Sequence, residues 1–320
     1  MTGTRPSTID LLKARAFMAQ HYRPTPLDRI ATLSRDLGLD AYVKFENHGP
    51  IRSFKARGAL YRLSLLSPDE RARGVVTAST GNHGQGVALA GNRLAVPAVV
   101  LVPDGTPRLK SDNIELLGAE LRIAGRDLAE AEAEARSFAK ATDKIFIEDG
   151  DDCGLMAGAG TIAWEILDQL PEADAIIVPV GGGNLIAGIA LVAKLLRPDI
   201  RIIGVQSDAA PAVHDSWRQG RIVEAACGTF AGGLATARPG RLAFSVLRDL
   251  VDMMVLVSED DLRRAVLTTL TRTGQVAEGA GAAAFAALPG LAQGLAGSKV
   301  VLLLSGGNIP IEDLKALLTA

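Results

Sequence analysis

Cysteine is scarce in this chain of 320 residues. The two cysteines, Cys153 and Cys227, lie far apart and in no pair with metal-ligand spacing. A disulfide framework and a structural zinc site both require clustered or regularly spaced cysteines. We therefore expect neither feature in this protein.

An excess of charge of one sign is also lacking. The 34 lysine and arginine residues nearly balance the 36 aspartate and glutamate residues, and no basic stripe or polybasic tail is present. Proteins that bind nucleic acid carry clustered positive charge on one face or segment. The sequence thus predicts no nucleic-acid partner.

Long apolar runs are absent as well. The chain has no apolar stretch of about 18 residues or more, the length that a membrane helix needs, and no charged-then-apolar leader. We expect no membrane segment and a cytoplasmic protein. Apolar residues still make up 48% of the chain and charged residues 22%, which predicts a substantial core rather than disorder.

The chain does contain a regular alternation of short apolar strands and longer helices. Strands joined in this way are typical of a parallel sheet that helices cover on both faces. The predicted strands span residues 41–46, 74–78, 98–102, 119–123, 144–147, 175–180, 201–205, 253–257 and 299–304. The fold class is therefore α/β, with parallel-rich twisted sheets covered by helices.

The first helix has the clearest start signal. Ser7-Thr8-Ile9-Asp10 has the spacing of a capping box. In the helix that follows, Ile9, Leu12, Ala16 and Phe17 are predicted to line one apolar face. Other predicted helices span residues 84–94, 104–117, 127–141, 160–170 and 185–196, and one more begins after Ser258.

The domain organisation follows from length, since no long linker and no internal repeat interrupt the chain. A chain of this size exceeds one average domain. We expect a small domain of residues 77–148 to be inserted into a large domain of residues 1–76 and 149–320.

One lysine stands in an unusual setting. Lys55 occupies the predicted start of a helix, after a strand and a turn, within Arg52-Ser53-Phe54-Lys55-Ala56-Arg57-Gly58-Ala59. Taken alone, a helical lysine is most often a solvated surface residue. Three further loops, rich in glycine with serine or asparagine, lie at residues 79–84, 179–184 and 304–308. Together these four segments are the set that is needed to hold pyridoxal phosphate.

The turn Gly181-Gly182-Gly183 follows a buried strand and precedes a helix. Bare backbone in that position lets N–H groups and a helix N-terminus face a phosphate. A dinucleotide is the main alternative ligand for such a turn. It is disfavoured because Ile186 stands where the dinucleotide fingerprint needs glycine, and Arg201-Ile202-Ile203 stands where it needs an acid.

Six short motifs follow one another along nearly the whole chain. They are Ser53-Phe54-Lys55-x-Arg57-Gly58-Ala59, Ser79-x-Gly81-Asn82-His83-Gly84-Gln85-Gly86, Ala157-Gly158-x-Gly160-Thr161-Ile162, Pro179-Val180-Gly181-Gly182-Gly183, Glu278-Gly279-Ala280-Gly281-Ala282 and Ser305-Gly306-Gly307-Asn308. With these six motifs in this order, the chain resembles the fold-type II pyridoxal phosphate enzymes, and among them the threonine/serine dehydratase and serine racemase family. The resemblance implies a two-domain fold like that of the tryptophan synthase β subunit, with pyridoxal 5'-phosphate as cofactor.

The resemblance also implies roles for single residues. Lys55 would bind the cofactor aldehyde and then remove the substrate's α-proton, and both tasks need a partly neutral amine. Asn82 would hydrogen-bond the cofactor's phenolic oxygen, and Ser305 would donate to an unprotonated ring nitrogen. The implied cofactor-binding residues are Phe54, Lys55, Asn82, Gly181, Gly182, Gly183, Asn184, Leu185 and Ser305.

The loop from Ser79 to His83 would bind the substrate carboxylate. The implied substrate-binding residues are Ser79, Thr80, Gly81, Asn82 and His83. Thr80 is also a second catalytic candidate, because racemases of this family have a hydroxyl there that serves as the acid on the other face. Two assignments stay open: Phe54 fits ordinary core equally well, and Glu278 fits either the site or a helix start.

Several positions depart from the family pattern. Asn184 replaces the usual fourth glycine of the turn. The turn can still form, because asparagine tolerates positive φ. Arg52 stands where a small residue is expected. Gln206 and Ala212 replace the two acids that form a cation site in many relatives, so no metal is predicted.

We predict a pyridoxal phosphate-dependent ammonia-lyase that converts a small β-hydroxy amino acid, such as L-threonine or L-serine, into a 2-oxo acid and ammonia. The alternatives are a serine-type racemase, a dehydratase of a bulkier 3-hydroxy amino acid, and a catalytically weak sensor protein, against which Lys55 and Ser305 argue. A homodimer or homotetramer is expected. Twelve residues follow Asn308, so we expect no effector domain there and no inhibition by isoleucine.

Overall fold

The strands form two sheets in the computed structural model, which describes residues 4–106 and 108–319. Their bounds are β1 Leu27–Arg29, β2 Asp40–Phe45, β3 Val75–Ala78, β4 Ala98–Val102, β5 Glu120–Ile123, β6 Ile145–Phe146, β7 Ala175–Pro179, β8 Arg201–Ser207, β9 Met253–Val257 and β10 Lys299–Leu304. Among the described residues, the larger sheet has the order β1-β2-β10-β7-β8-β9 and the smaller β5-β4-β3-β6. Every pairing except that of β1 with β2 is parallel.

Helices cover both sheets, which confirms the predicted α/β class. Their bounds are α1 Thr8–His21, α2 Ala31–Leu37, α3 Lys55–Ser64, α4 Pro68–Arg73, α5 Asn82–Leu94, α6 Arg108–Leu116, α7 Leu128–Thr142, α8 Cys153–Gln169, α9 Asn184–Leu196, α10 Ala212–Gln219, α11 Arg241–Leu250, α12 Glu259–Thr273, α13 Ala283–Leu291 and α14 Ile311–Thr319. The predicted start of α6 includes Pro107, which lies outside the described residues. None of the helices in the described ranges has the length and apolar character to cross a bilayer.

The central strands are buried along their whole length, as parallel strands between two helix layers must be. Every residue of β4 and of β7 is buried. In the larger sheet, Ile176 of β7 aligns with Val301 of β10 and with Ile202 of β8. The carboxyl ends of these strands therefore open on the same edge, where ligands of open α/β sheets bind.

Helix α8 begins at Cys153, seven residues before the predicted start at Gly160. The carboxylate of Asp152 caps it, accepting hydrogen bonds from the backbone of Gly154 and Leu155 at 2.7 and 3.0 Å. Glycines near this start disfavour a helix in the sequence and so hid it from prediction. In the structure they are packing residues, since a Cβ on Gly158 would lie 2.7 Å from the carbonyl oxygen of Arg57 in α3. Because glycine has no side chain, α3 and α8 can approach so closely at Gly158 that no larger residue fits at this position.

The capping box of α1 is confirmed, but its predicted buried face is wrong. The hydroxyl of Ser7 accepts from the Asp10 backbone, and the Asp10 carboxylate accepts in return. The buried side is formed by Leu11, Ala14 and Met18, whereas Ile9 is 64% exposed and Leu12 48% exposed. This helix has apolar residues on two sides, and packing against α8 selects one of them.

The domain boundaries remain a proposal. The strands of the smaller sheet lie between residues 75 and 146. We propose that residues 77–148 form the small domain and that residues 1–76 and 149–320 form the large one.

Candidate active site

A cavity of about 1150 Å³ lies at the carboxyl ends of β3, β7 and β10. Every residue that we predict to bind cofactor or substrate lines it. Motifs more than 200 positions apart in the sequence thus share one space. A shallower depression of about 470 Å³ beside Arg29 and Asp40 contains none of these residues.

Lys55 is the first residue of α3, and a short backbone pairing fixes it in the cavity. Ser53 forms an antiparallel bridge with Gly306, and the Phe54 N–H donates to the Ser305 carbonyl oxygen at 3.1 Å. The ammonium group of Lys55 lies 5.4 Å from the centre of the Phe54 ring. The pairing brings the lysine and Ser305 together although 250 positions separate them.

Arg52 has a left-handed backbone, with φ of 54°, which explains why a small residue is expected there. Its N–H donates to the Gly49 carbonyl oxygen and its carbonyl accepts from the Gly307 N–H, both at 2.9 Å. These two bonds hold a conformation that arginine alone disfavours. The side chain lines the cavity and forms no ion pair with any residue of the described ranges.

The glycine-rich turn between β7 and α9 leaves backbone donors facing the cavity. Gly183 is the N-cap of α9, has φ of 105° and provides no side-chain cap. The N–H groups of the first helical turn are therefore free to bind an anion, and the helix dipole favours negative charge there. Leu185, the second residue of α9, is buried beside them.

Asn184, the residue in place of the fourth glycine, is 9% exposed. Its amide nitrogen donates to the backbone carbonyl oxygen of Asp149 at 3.0 Å. Its amide oxygen is buried and, within residues 4–106 and 108–319, accepts no hydrogen bond. The side chain thus ties the glycine-rich turn to the segment that follows β6 and leaves one acceptor for a ligand donor.

The loop from Ser79 to Asn82 begins where β3 ends. The Ser79 hydroxyl accepts from the Gly81 N–H at 3.2 Å, and Gly81 starts α5 without a side-chain cap. Thr80 lines the cavity, and its hydroxyl forms no hydrogen bond with any residue that the structure describes. Asn82 donates to a Glu278 carboxylate oxygen at 2.7 Å and accepts from the Asn308 amide at 2.6 Å.

Ser305 directly follows β10 and is 5% exposed. Its hydroxyl has no hydrogen-bond partner in the described part of the chain. Asn308, which the sequence reasoning did not include among the site residues, donates to Asn82 and to the Ile51 carbonyl oxygen at 2.8 Å. The sequence signal for Asn308 was the motif Ser305-Gly306-Gly307-Asn308, because this asparagine lies only three positions after Ser305.

Asp149 is the main residue that the sequence reasoning missed. Its carboxylate contacts the Lys55 ammonium group, and the imidazole Nδ1 of His83 lies 3.4 Å away. The available signal was position, since Asp149 follows β6 at the carboxyl edge of the smaller sheet. Several acids surround it in Glu148-Asp149-Gly150-Asp151-Asp152, and nothing in the spacing singles out one of them.

A buried set of charges lies beneath α3. Arg57 donates to both carboxylate oxygens of Glu46 at 2.7 and 2.9 Å and to Glu165 at 2.8 Å. Lys44 donates to Glu165 and to the Thr25 carbonyl oxygen, both at 2.7 Å. Burial lowers the pKa of Lys44 despite the two glutamates, whereas at Arg57 the glutamates outweigh burial and raise the pKa. This set connects β2, α3 and α8 and fixes the helix that begins with Lys55.

The segment around Gln206, for which no metal site is predicted, caps a helix. The side-chain oxygen of Gln206 accepts from the backbone N–H groups of Val213 and His214 at 3.1 and 2.9 Å and so caps α10. Asp215 contacts the His214 imidazole at 2.9 Å. Across residues 4–106 and 108–319, no three histidine, cysteine or acidic side chains form a cluster that could hold a metal ion.

Treatment with EDTA is therefore expected to leave turnover and melting temperature unchanged. Divalent hard cations need charged oxygen ligands, and Gln206 and Ala212 supply none. The measurement compares both quantities before and after chelation. A large loss in either, restored by Mg²⁺ or Ca²⁺, would contradict this expectation.

Residues 18–306 match the family described as pyridoxal-phosphate dependent enzymes. The chain belongs to this family. The predicted resemblance and the predicted cofactor, pyridoxal phosphate, are thereby confirmed.

Relatives of this pyridoxal-phosphate dependent enzyme include L-threonine ammonia-lyase of Geobacter sulfurreducens, which is 41% identical over 93% of this chain and 74% of its own length. The catabolic L-threonine dehydratase of Escherichia coli is 39% identical over 95% of this chain and 93% of its own. Among solved structures, maize serine racemase has a TM-score of 0.92 with 30% identity, covering 99% of this chain and 97% of its own.

The residues of this pyridoxal-phosphate dependent enzyme fit its cofactor. The uncapped turn at Gly183 offers backbone donors to a phosphate. The unbonded hydroxyl of Ser305 suits a ring nitrogen, and the orphaned amide oxygen of Asn184 leaves an acceptor in the same cavity. Lys55 lies among them with an amine that can bind an aldehyde.

Ser305→Asp is expected to slow elimination by about 10-fold or more, which corresponds to roughly 1.4 kcal/mol on the barrier. An acid would keep the ring nitrogen protonated and make the cofactor a stronger electron sink than a hydroxyl does. Electrons that the cofactor holds more strongly are less available to expel the β-hydroxyl, so elimination slows. The measurements are the visible spectrum, the rate of 2-oxo acid release and the product ratio, with Ser305→Thr as the control that keeps a hydroxyl. If all three match the wild type, Ser305 does not contact the ring nitrogen.

Proposed function

We propose that this enzyme is an ammonia-lyase that eliminates the β-hydroxyl group of L-threonine or L-serine and releases a 2-oxo acid and ammonia. The observation that carries the proposal is one cavity that contains Lys55, the glycine-rich turn at 181–183 and the hydroxyl of Ser305. Relatives named for threonine deamination, at 38–41% identity, support the substrate class.

Different residues of the chain bind the cofactor, bind the substrate and remove the proton. When bound, pyridoxal phosphate supplies an electron sink for the bond that breaks at the substrate's α-carbon. Lys55 holds the cofactor and removes the α-proton with the same amine. Ser79, Thr80, Gly81, Asn82 and His83 bind the substrate carboxylate, while the 181–185 turn, Asn82, Phe54 and Ser305 hold the cofactor. Asn82 is supported in this role by its contacts with Glu278 and Asn308, which fix its side chain.

Racemization is a second activity that one observation favours. Thr80 lines the cavity and its hydroxyl has no hydrogen-bond partner among the described residues, so this group is available to exchange a proton with substrate. Solved serine racemases share the fold at 30% identity. Because Thr80 also belongs to the loop that binds the substrate carboxylate, Thr80→Val should lower the rate of racemization more than the rate of elimination.

We further propose that the protein works in the cytoplasm as a homodimer or homotetramer. Cys153 and Cys227 are not joined in a disulfide, as is usual in a reducing compartment. Ile9 (64% exposed) and Leu12 (48% exposed) are neighbours on the outer side of α1, and this exposed apolar pair supports contact with a second subunit. Light scattering of the purified protein measures the oligomeric state.

A panel of 3-hydroxy amino acids tests the proposed function. The panel contains L-threonine, L-serine, a bulkier apolar member and an acidic member. The acidic member is included because Arg52 lines the cavity and forms no ion pair with the described chain. We expect the fastest 2-oxo acid and ammonia release from L-threonine or L-serine. Release only from the bulky or acidic members would change the substrate class, and release from none would refute the lyase activity.

A further inference from the structure

The carboxylate of Asp149 lies against the amine of Lys55. We propose that Asp149 is a catalytic residue whose carboxylate stabilises the protonated amine of Lys55, between uptake of the substrate's α-proton and delivery of that proton to the departing β-hydroxyl. The proposal rests on the lyase function proposed above. None of the six sequence motifs includes this residue.

Asp149 is held in place from two sides. The His83 imidazole Nδ1 lies 3.4 Å from its Oδ1 oxygen, and the Asn184 amide donates to its backbone carbonyl oxygen at 3.0 Å. His83 and Asn184 are themselves buried, with 2% and 9% exposure. Because Asp149 is already held in position, its side chain loses little conformational entropy when the carboxylate acts on Lys55.

The charges around Asp149 favour its ionised form. Burial alone would raise the pKa of this carboxyl, but His83 from α5 and Lys55 from α3 outweigh burial and lower the pKa. Burial lowers the pKa of His83, although Asp149 and the more distant Asp152 oppose that effect. Because the Ile147 carbonyl oxygen, 3.4 Å from Nε2, is also an acceptor, a neutral ring donates to only one of its two neighbours at a time.

A carboxylate at this place can assist the transfer of the proton. The lone pair of the Lys55 nitrogen takes the α-proton, and the electrons of the broken C–H bond stay on the substrate. The ammonium group so formed gives its proton to the β-hydroxyl, and the Cβ–O bond breaks so that the oxygen leaves as water with that bond's electron pair. The pair left by the C–H bond forms the Cα=Cβ bond, and the neutral amine is restored. Asp149 remains ionised throughout and lowers the energy of the ammonium stage, because opposite charges in a partly desolvated site attract strongly. The amine that accepts the proton is the group that contacts the Asp149 carboxylate.

Asp149→Asn tests the proposal, with Glu148→Gln as the matched control. Glu148 has the same charge and similar exposure, 46% against 47%, but its carboxylate pairs with Arg136 at 3.2 Å. We expect Asp149→Asn to lower kcat by about 100-fold with little change in KM, as for removal of a group that assists proton transfer. Glu148→Gln should match the wild type, and melting temperatures should show that both variants fold.

A second readout needs no substrate and therefore separates this proposal from the proposed function. In the cofactor-loaded protein, a nearby carboxylate favours the protonated form of the nitrogen that joins Lys55 to the cofactor. Its loss in Asp149→Asn should lower the pH midpoint of the visible-band titration by about one unit or more, as expected for an opposite charge within about 4–6 Å. A midpoint within about 0.3 unit of that of Glu148→Gln would overturn the role of Asp149, whatever the substrate panel shows.

Discussion

Lys55→Ala is expected to abolish both elimination and covalent attachment of pyridoxal phosphate while leaving the protein folded. The amine serves as cofactor anchor and as base, and alanine can do neither. The fold should survive because the Lys55 side chain is 25% exposed and its loss leaves Asp149 half exposed to water. Turnover, the visible band and the melting temperature are the three measurements.

Lys140→Ala is the matched control for this result, since it removes an exposed lysine of α7 that does not line the cavity. It should keep both the visible band and the turnover of the wild type. If Lys55→Ala binds cofactor covalently and turns over substrate at a near wild-type rate, the assignment of the active site fails.

Arg57→Met is expected to destabilise the protein by about 3–5 kcal/mol, the cost of removing one partner from a buried ion pair. The side chains of Arg57 and Glu46 are both fully buried, and Glu165 is 15% exposed. Without the guanidinium group, Lys44 alone faces two buried carboxylates, so one negative charge is left without compensation. Urea unfolding of the cofactor-loaded protein measures the loss.

Arg15→Met provides the comparison for an arginine in an exposed ion pair. Arg15 contacts Asp168 at 2.8 Å, but the two side chains are 44% and 58% exposed. Pairs of this kind contribute less than about 1 kcal/mol. If Arg57→Met costs no more than Arg15→Met, the buried charges do not fix the helix that carries Lys55.

Local sequence patterns predicted much of this molecule because their causes are local. The strand at residues 98–102 is observed as Ala98–Val102, since an unbroken apolar run fits only a buried strand there. The capping boxes at Ser7 and Ser258 both form. Lys55 and the glycines of the 181–183 turn line the cavity because each lies at a strand-to-helix junction.

Features that depend on distant partners could not be predicted in the same way. The contact of Lys55 with Asp149 joins positions 94 apart, and that of Arg57 with Glu165 joins positions 108 apart. The buried face of α1 and the start of α8 were misjudged for the same reason. The packing of neighbouring helices decides both, and neither periodicity nor glycine content reveals which helix will be the neighbour.

The most direct test of the account is to locate the cofactor on the chain. The purified protein is loaded with pyridoxal phosphate, reduced with borohydride to fix the cofactor on the lysine that holds it, digested, and analysed by peptide mass spectrometry. The account predicts that the modified peptide contains Lys55 and that added L-threonine or L-serine, present before reduction, lowers its yield. Modification of another lysine, such as the buried Lys44, or of none, would contradict it.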